Sequence, residues 1–324
     1  MSLAFELQKN SRTAAAEREA ATDGDLTTGP SAPLGPDATA SGQGSDVATG
    51  KARRGLHLGR LGIVEIIALI VLGLAVLAAF WPSLLTGVDP LTGDPANRLL
   101  PPSLEHIFGT DHLGRDVYAR TVHGSAQTLS ASLAAVLIGV VSGVLVGLIS
   151  GFFTGVVDAI FMRIIDVLQA VPGLLLSMAV ITALGFGTLN VALAVGVAAI
   201  PSFARLTRAE VIRWRASEFV RAARADGLST PSVLARHILP QVRGSIGALV
   251  ALEFGSAVLA VSALSFLGFG APPPQPEWGL LVSEGRDFLA AAWWMTTFPG
   301  LVVAAVVLAA NRLAHVLNSE KEFR

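Results

Sequence analysis

Residues Glu218–Pro240 read EFVRAARADGLSTPSVLARHILP, a polar stretch set between strongly apolar segments. Its local signals describe a helix, a sharp stop and a second short helix. Gly227 suits the left-handed conformation that ends a helix. Thr230 offers an N-cap oxygen, and Pro231 follows at a first helical position, where its missing N–H costs nothing. Pro240 is expected to close the unit, because proline cannot continue the hydrogen-bond ladder. Such a knob is shaped to be gripped by a partner protein; the alternative is a basic loop with no docking role.

The surrounding composition is that of a membrane protein. Of 324 residues, 52% are hydrophobic, and the mean hydropathy of +0.62 exceeds what an ordinary soluble domain shows. The net charge is −1, with the charges in blocks. The chain has no cysteine, which excludes disulfides, thiolate catalysis and cysteine-held metals. Residues 1–55 are rich in Ala, Gly, Ser, Thr, Asp and Pro and nearly free of large apolar side chains. They are expected to form a disordered cytoplasmic tail, without the apolar run of a secretory signal. Within it, Gly44–Ala52 imitates a phosphate-binding loop. The spacing is one residue too long, Ala52 replaces the hydroxyl residue and no strand precedes it, so ATP is not bound by that route.

A membrane-spanning helix needs about 20 mostly apolar residues. Six windows qualify, roughly 61–81, 128–152, 159–184, 188–206, 244–268 and 294–316, predicting an all-α polytopic protein with six transmembrane helices over residues 56–324. Lys51, Arg53, Arg54 and Arg60 flank the first window and place the N-terminus in the cytoplasm. The 205–243 loop, with Arg205, Arg208, Arg213, Arg215, Arg221, Arg224, Arg236 and Arg243, then also lies inside, as does the C-terminus. The outer segments, 82–127 and 269–293, carry far fewer basic residues.

Gly139, Gly143, Gly147, Gly151 and Gly155 recur every fourth residue and make a stripe against which another helix can lie closely. That helix could belong to this chain or to another subunit. Pro172-Gly173 is expected to loosen or kink the third window. Glu253 is the acidic residue deepest in a predicted span, and such carboxylates face a partner or a water-filled path. A place on the substrate path, a structural hydrogen bond and a subunit interface all remain open for it.

In the first outer segment a helix from Asp111 would pair Asp111 with Arg115 and Asp116 with Arg120 at i,i+4. Leu113, Val117 and Thr121 would then form a seam at the membrane surface. His112 and His123 lie eleven residues apart without a third ligand, so no metal site is expected. Trp293 and Trp294 read as interfacial anchors.

Several of these motifs carry a resemblance. Ala222-Ala223, Gly227 and Ile238-Leu239-Pro240 resemble the EAA loop of ABC-type importer permeases. The ordered set FGTDHLGRD, MRIIDVLQAVPG, RAARADG…HILP, SFLGFG…PPP…EWG and AWW…FPG is similar to the branch serving dipeptides, oligopeptides and, in some members, nickel complexes. Within that branch it resembles the C-type permease, over about residues 60–317.

The resemblance implies the type I importer permease fold, in the cytoplasmic (inner) cell membrane. It also implies a heterodimeric pore with a sister permease, two ATPase subunits or domains that bind ATP and Mg, and an external solute-binding protein. This chain would bind no cofactor and no nucleic acid and perform no chemistry. The coupling residues carried over are Glu218, Arg221, Ala222, Ala223, Gly227, His237, Ile238, Leu239 and Pro240. Arg221 stands where the motif begins with Glu, Ala260-Val261-Ser262 where relatives often carry an acid, and Asn311–Asn318 where relatives end in a Gly-Asp…Leu-Arg-Asp tail.

Other classes are weakly served. A membrane enzyme would need a nucleophile elbow, an HExxH pair or clustered intramembrane acids, and none is present. A stand-alone channel or secondary transporter would often show an inverted repeat, which is not detectable.

Overall fold

The computed structural model describes residues 62–322, with side chains through Val316. The expected 1–55 tail and the Gly44–Ala52 segment lie outside the described residues. Regular structure among the described residues is helical, apart from one isolated bridge between Thr110 and Asp116. The helices are α1 (Ile63–Phe80), α2 (Val117–Phe153), α3 (Val156–Ala170), α4 (Gly173–Leu184), α5 (Thr188–Arg215), α6 (Glu218–Ala225), α7 (Thr230–Val233), α8 (Leu239–Phe266), α9 (Trp278–Arg286) and α10 (Trp294–Glu322). Among the described residues, five helical stretches are long and apolar enough to cross a membrane, and α3 with α4 makes a sixth if counted as one broken span.

The α2–α5 contact organises the bundle. Gly139, Gly143, Gly147 and Gly151 face Ala199, Phe203, Thr207 and Val211, each numbered 60 higher, so the two helices run parallel and in register. Contact is close enough to exclude side chains. A Cβ at Gly147 would lie 2.6 Å from the Ala204 carbonyl oxygen, and one at Gly139 would lie 2.9 Å from the Ala199 Cβ. Gly196 answers from α5, where a Cβ would meet the Ile138 Cβ at 2.8 Å. The partner helix therefore lies in the same chain. Leu133, Leu137, Val141 and Leu145, two positions out of phase with the stripe, are exposed on the opposite face, as a lipid-facing row requires.

Gly155 does not belong to this seam. Its φ is +74° and no neighbour lies within 4 Å of an added Cβ; it turns the chain into α3. Because α2 and α5 are parallel, residues 154–187 must return the chain along the bundle, and the Gln127 amide meets the Thr188 hydroxyl at 3.0 Å where α5 begins. The return is sharply broken: α3 and α4 meet at 95°, where the 159–184 window predicted one kinked helix. Val171 is extended and Pro172 precedes α4, so the proline ends one helix and begins another.

At one end of α2, Val117 packs with Ala292, Trp294 and Met295; at the other, Phe152 packs with Val211, Val220 and Ile238. Across 37 residues the two ends stand about 55 Å apart, more than the hydrocarbon thickness of about 30 Å. Glu65 of α1 pairs with Arg312 of α10, and His315 shares a cavity with Glu210 and Ser245. The start of α1 and the described end of α10 therefore lie toward the 218–240 end.

The seam predicts a contrast between two glycines. Gly147→Ala is expected to destabilise the detergent-solubilised protein by about 1–3 kcal/mol, the usual cost of overpacking. Gly73→Ala, with nothing within 4 Å of the new methyl, should leave thermal unfolding unchanged or raised; equal unfolding temperatures for the two variants would contradict the seam.

Candidate functional site

The 218–240 segment folds as a helical knob. Helix α6 stops where Gly227 takes φ +80°, with the Gly227 N–H on the Arg224 carbonyl at 3.0 Å and the Leu228 N–H on the Ala223 carbonyl at 3.2 Å. These bonds satisfy carbonyls that the helix end would otherwise leave open. The next helix begins one residue earlier than expected: Ser229 is its N-cap and Thr230 already helical, with no side-chain cap bond.

Pro240 does not close the unit. The chain continues through it into α8, and residues Leu234–Ile238 form a π-helical turn in which the Leu239 N–H reaches the Leu234 carbonyl. A proline lacks the N–H and crowds the carbonyl four residues back. Widening the preceding turn absorbs both effects without ending the helix.

Val220, Ala223, Val233 and Ile238 are buried inside the knob, and Leu239 and His237 are half-buried. Glu218, Arg221, Ala222 and Pro240 are exposed, with the Arg221 guanidinium 3.9 Å from the Glu218 carboxylate. The knob is fastened to the end of α2: the Arg215 guanidinium donates to the Phe152 carbonyl at 2.8 Å, and Arg224 sits 4.5 Å over the Phe152 ring. Asp158 of α3 accepts both forks of Arg208 at 2.6 and 2.7 Å, and Asp166 accepts from Arg205 at 2.7 Å. These pairs tie the first half of the broken return to α5.

Glu253 lies midway along α8, half-buried, with the Ser202 hydroxyl of α5 close by. It lines a cavity of about 150 Å3 with Gly173, Ser177, Ala199, Ser256 and Ala257, at the break between α3 and α4. It stands about 20 Å along α8 from Pro240 by helical rise and belongs to a separate place on the bundle.

At the opposite end the FGTDHLGRD stretch is not a helix from Asp111. Residues 111–114 form a turn, and α2 starts at Val117 with Asp116 as its N-cap, accepting from the Ala119 N–H at 2.7 Å. Asp111 pairs with both Arg115 (2.6 Å) and Arg120 (2.9 Å), and Arg120 also reaches Glu284 of α9 at 2.5 Å. Asp116 is joined instead to His106 at 2.9 Å. Val117 and Thr121 are buried and only Leu113 is exposed, so no membrane-surface seam forms.

Trp294 is a core residue rather than an interfacial anchor, its indole N–H on the Thr110 carbonyl at 3.1 Å; Trp293 remains half exposed. His112 stacks on Phe288 at 5.2 Å, and the His123 ring bonds the Ala119 carbonyl.

Glu277, within the EWG motif, is a buried hub. It caps α9 through the Leu280 N–H at 3.0 Å and accepts from the Thr128 hydroxyl at 2.8 Å. Burial holds its carboxyl above the usual value, against hydrogen bonds from the Leu280 and Gly279 amides and from Thr128 and Ser265. An acid directly before an apolar helix start was the available signal for the cap. No local pattern marked the partnership of Glu284 with Arg120, 164 residues away.

Residues 143–321 match the family described as binding-protein-dependent transport system inner membrane component, and the chain belongs to that family. It is a multi-pass membrane permease subunit of an ABC-type importer, with the all-α type I permease fold; permeases of this family leave ATP hydrolysis to separate subunits. It is 38% identical over 255 residues to the dipeptide transport system permease protein DppC of Alkalihalophilus pseudofirmus, covering 79% of this chain and 84% of that one. It is 43% identical over 217 residues to the glutathione transport system permease protein GsiD of Shigella flexneri, covering 67% and 72%. A crystal structure of an amino acid ABC transporter with histidines aligns over 63% of this chain and 94% of its own, at 16% identity and a TM-score of 0.49.

The buried cluster at Asp111 has a pH signature. Burial opposes its charge, but the Arg115 amide and guanidinium, the Leu113 amide and Arg120 outweigh it and hold the carboxyl below its usual value. A depressed carboxylate contributes stability above the unfolded value of about 3.9 and loses it as the pH falls through the folded value. Asp111→Asn should therefore cost about 3 kcal/mol at pH 7 by leaving buried guanidinium groups underpaired. The gap from wild type should narrow below about pH 4 in thermal unfolding between pH 3 and 7; a gap independent of pH would contradict this role.

Proposed function

We propose that the chain forms half of a translocation pathway for peptide-like solutes and takes its drive from an ATP-hydrolysing partner that grips residues 218–240. The observation that carries this reading is the continuous core joining the knob to the ends of α2, α5 and α8: Phe152, Val211, Val220, Ile238 and Val242 pack as one cluster. A push on the exposed face of α6 is therefore delivered to three spans at once, as rigid packed elements deliver it. Peptide cargo is supported by the likeness to the dipeptide and glutathione permeases.

The complex comprises a sister permease, two ATPase subunits or domains that bind ATP and Mg, and an external solute-binding protein. The knob end is cytoplasmic, because Arg205, Arg208, Arg213, Arg215, Arg221, Arg224, Arg236 and Arg243 are concentrated there. Both chain termini belong to the same side, and the 81–116 and 267–293 segments to the outer one. Coupling falls to Glu218, Arg221 and Ala222 on the exposed face and to Ala223, Gly227, His237, Ile238, Leu239 and Pro240, which shape and seat it.

Ala222→Trp tests the grip without touching the core, since Ala222 is exposed. Expression and membrane insertion should be unchanged, while ATPase recovery on co-purification and dipeptide uptake both fall by about tenfold, equivalent to roughly 1.4 kcal/mol of docking. Normal recovery and uptake at wild-type expression would remove the docking role.

A further inference from the structure

Among the described side chains, the acids of the spans are matched with cations in every case but one. Glu65 pairs with Arg312, Asp158 with Arg208, Asp166 with Arg205 and Glu210 with Arg213. Among the described residues no ion pair involves Glu253, which has the neutral Ser202 hydroxyl nearby. A carboxylate held in apolar surroundings without a cation is costly. This one also lines an open cavity where small and hydroxylic groups such as Ser177, Ala199, Ser256 and Ala257 stand beside the apolar side chains of Val136, Leu174 and Val195.

We propose that the Glu253 cavity is a transient binding site for a primary ammonium group, the N-terminal amine of a peptide-like cargo as it passes; the choice of a peptide amine rests on the peptide reading above. The cation missing from the cavity is supplied by the solute. Small walls give an alkylammonium room beside the carboxylate. The Ser202 hydroxyl nearby is neutral, so the carboxylate keeps lone pairs for the ligand. One uncrowded charge contact in an open cavity is strong enough to attract and weak enough to release, as a conducting path requires. The break between α3 and α4 places Gly173 on the wall, so a shift of either half-helix changes access to the carboxylate.

The absence of native cysteine permits a direct test in the complete complex in membranes. Ser256, exposed on the cavity wall, is changed to cysteine. Its rates with methanethiosulfonate ethylammonium and ethylsulfonate are then measured relative to a free thiol. The cationic reagent should react about tenfold faster, since a fixed charge in a cleft enriches counter-ions by that order or more; adding Glu253→Gln should abolish the preference. Alanyl-alanine should slow the reaction and its N-acetylated form should not. Equal relative rates for the two reagents, or no reaction with either, would overturn the site. A charge preference that Glu253→Gln removes, with neither dipeptide protecting, would uphold the cation site and overturn the peptide reading of the cargo.

Discussion

Two helices touching backbone to backbone over several turns leave no room for independent movement, and the contact of α2 with α5 has that character. Without side chains at Gly139, Gly143, Gly147 and Gly151, the α5 backbone and Cβ atoms lie where a Cβ would have to be. In lipid there is little hydrophobic drive to hold helices together, so close van der Waals contact of this kind supplies much of the association. The constant offset in facing residues makes the pair parallel, and the parallel arrangement dictates a returning segment between them. The sharp break of α3 and α4 and the cavity at Glu253 both belong to that return.

Helix α2 carries an anchor at each end. At the knob end its last turn holds Arg215 and Arg224 through the Phe152 carbonyl and ring. At the other end Arg120 links Asp111 to Glu284, and Thr128 links to Glu277. Displacement of the knob is thus carried along one continuous helix of 37 residues, whose length is set by backbone hydrogen bonds rather than by soft loop contacts. The π-turn before Pro240 sits where the knob joins α8. It is a place where the ladder is already widened and where a change in angle costs least.

Most of this architecture is legible in the residues, but unevenly. The glycine stripe and the apolar windows are periodic signals, and the seam follows from them up to Gly151. Gly155 shares the spacing by coincidence, since at that point the chain has left the helix. Proline departs from its local rule in opposite directions at two sites: Pro240 is absorbed by a wider turn, while Pro172 divides a span into two. Both outcomes depend on what packs alongside, which local propensity does not contain.

The charges of FGTDHLGRD suggested two pairs on one helix. Asp111 does meet Arg115, but from a turn, and it is shared with Arg120 and with amides of that turn. Asp116 goes instead to His106, and the Arg120 guanidinium to distant Glu284. That Glu253 has no cation partner among the described residues likewise depends on where the arginines of neighbouring helices fall, which its local sequence does not contain. Motif order did identify the family, because several short motifs at long, fixed intervals are rarely matched by chance.

The central claim is that α2 and α5 move as one body between the knob and the cavity. Spin labels at Leu145→Cys and Ile212→Cys, both on exposed positions of an otherwise cysteine-free chain, report their separation by pulsed dipolar spectroscopy. A second pair on the ATPase partners confirms that nucleotide has closed them. The account predicts an unchanged Leu145–Ile212 distance with and without ATP. A shift approaching one helical turn, about 5.4 Å, would show the two helices sliding past each other and contradict it.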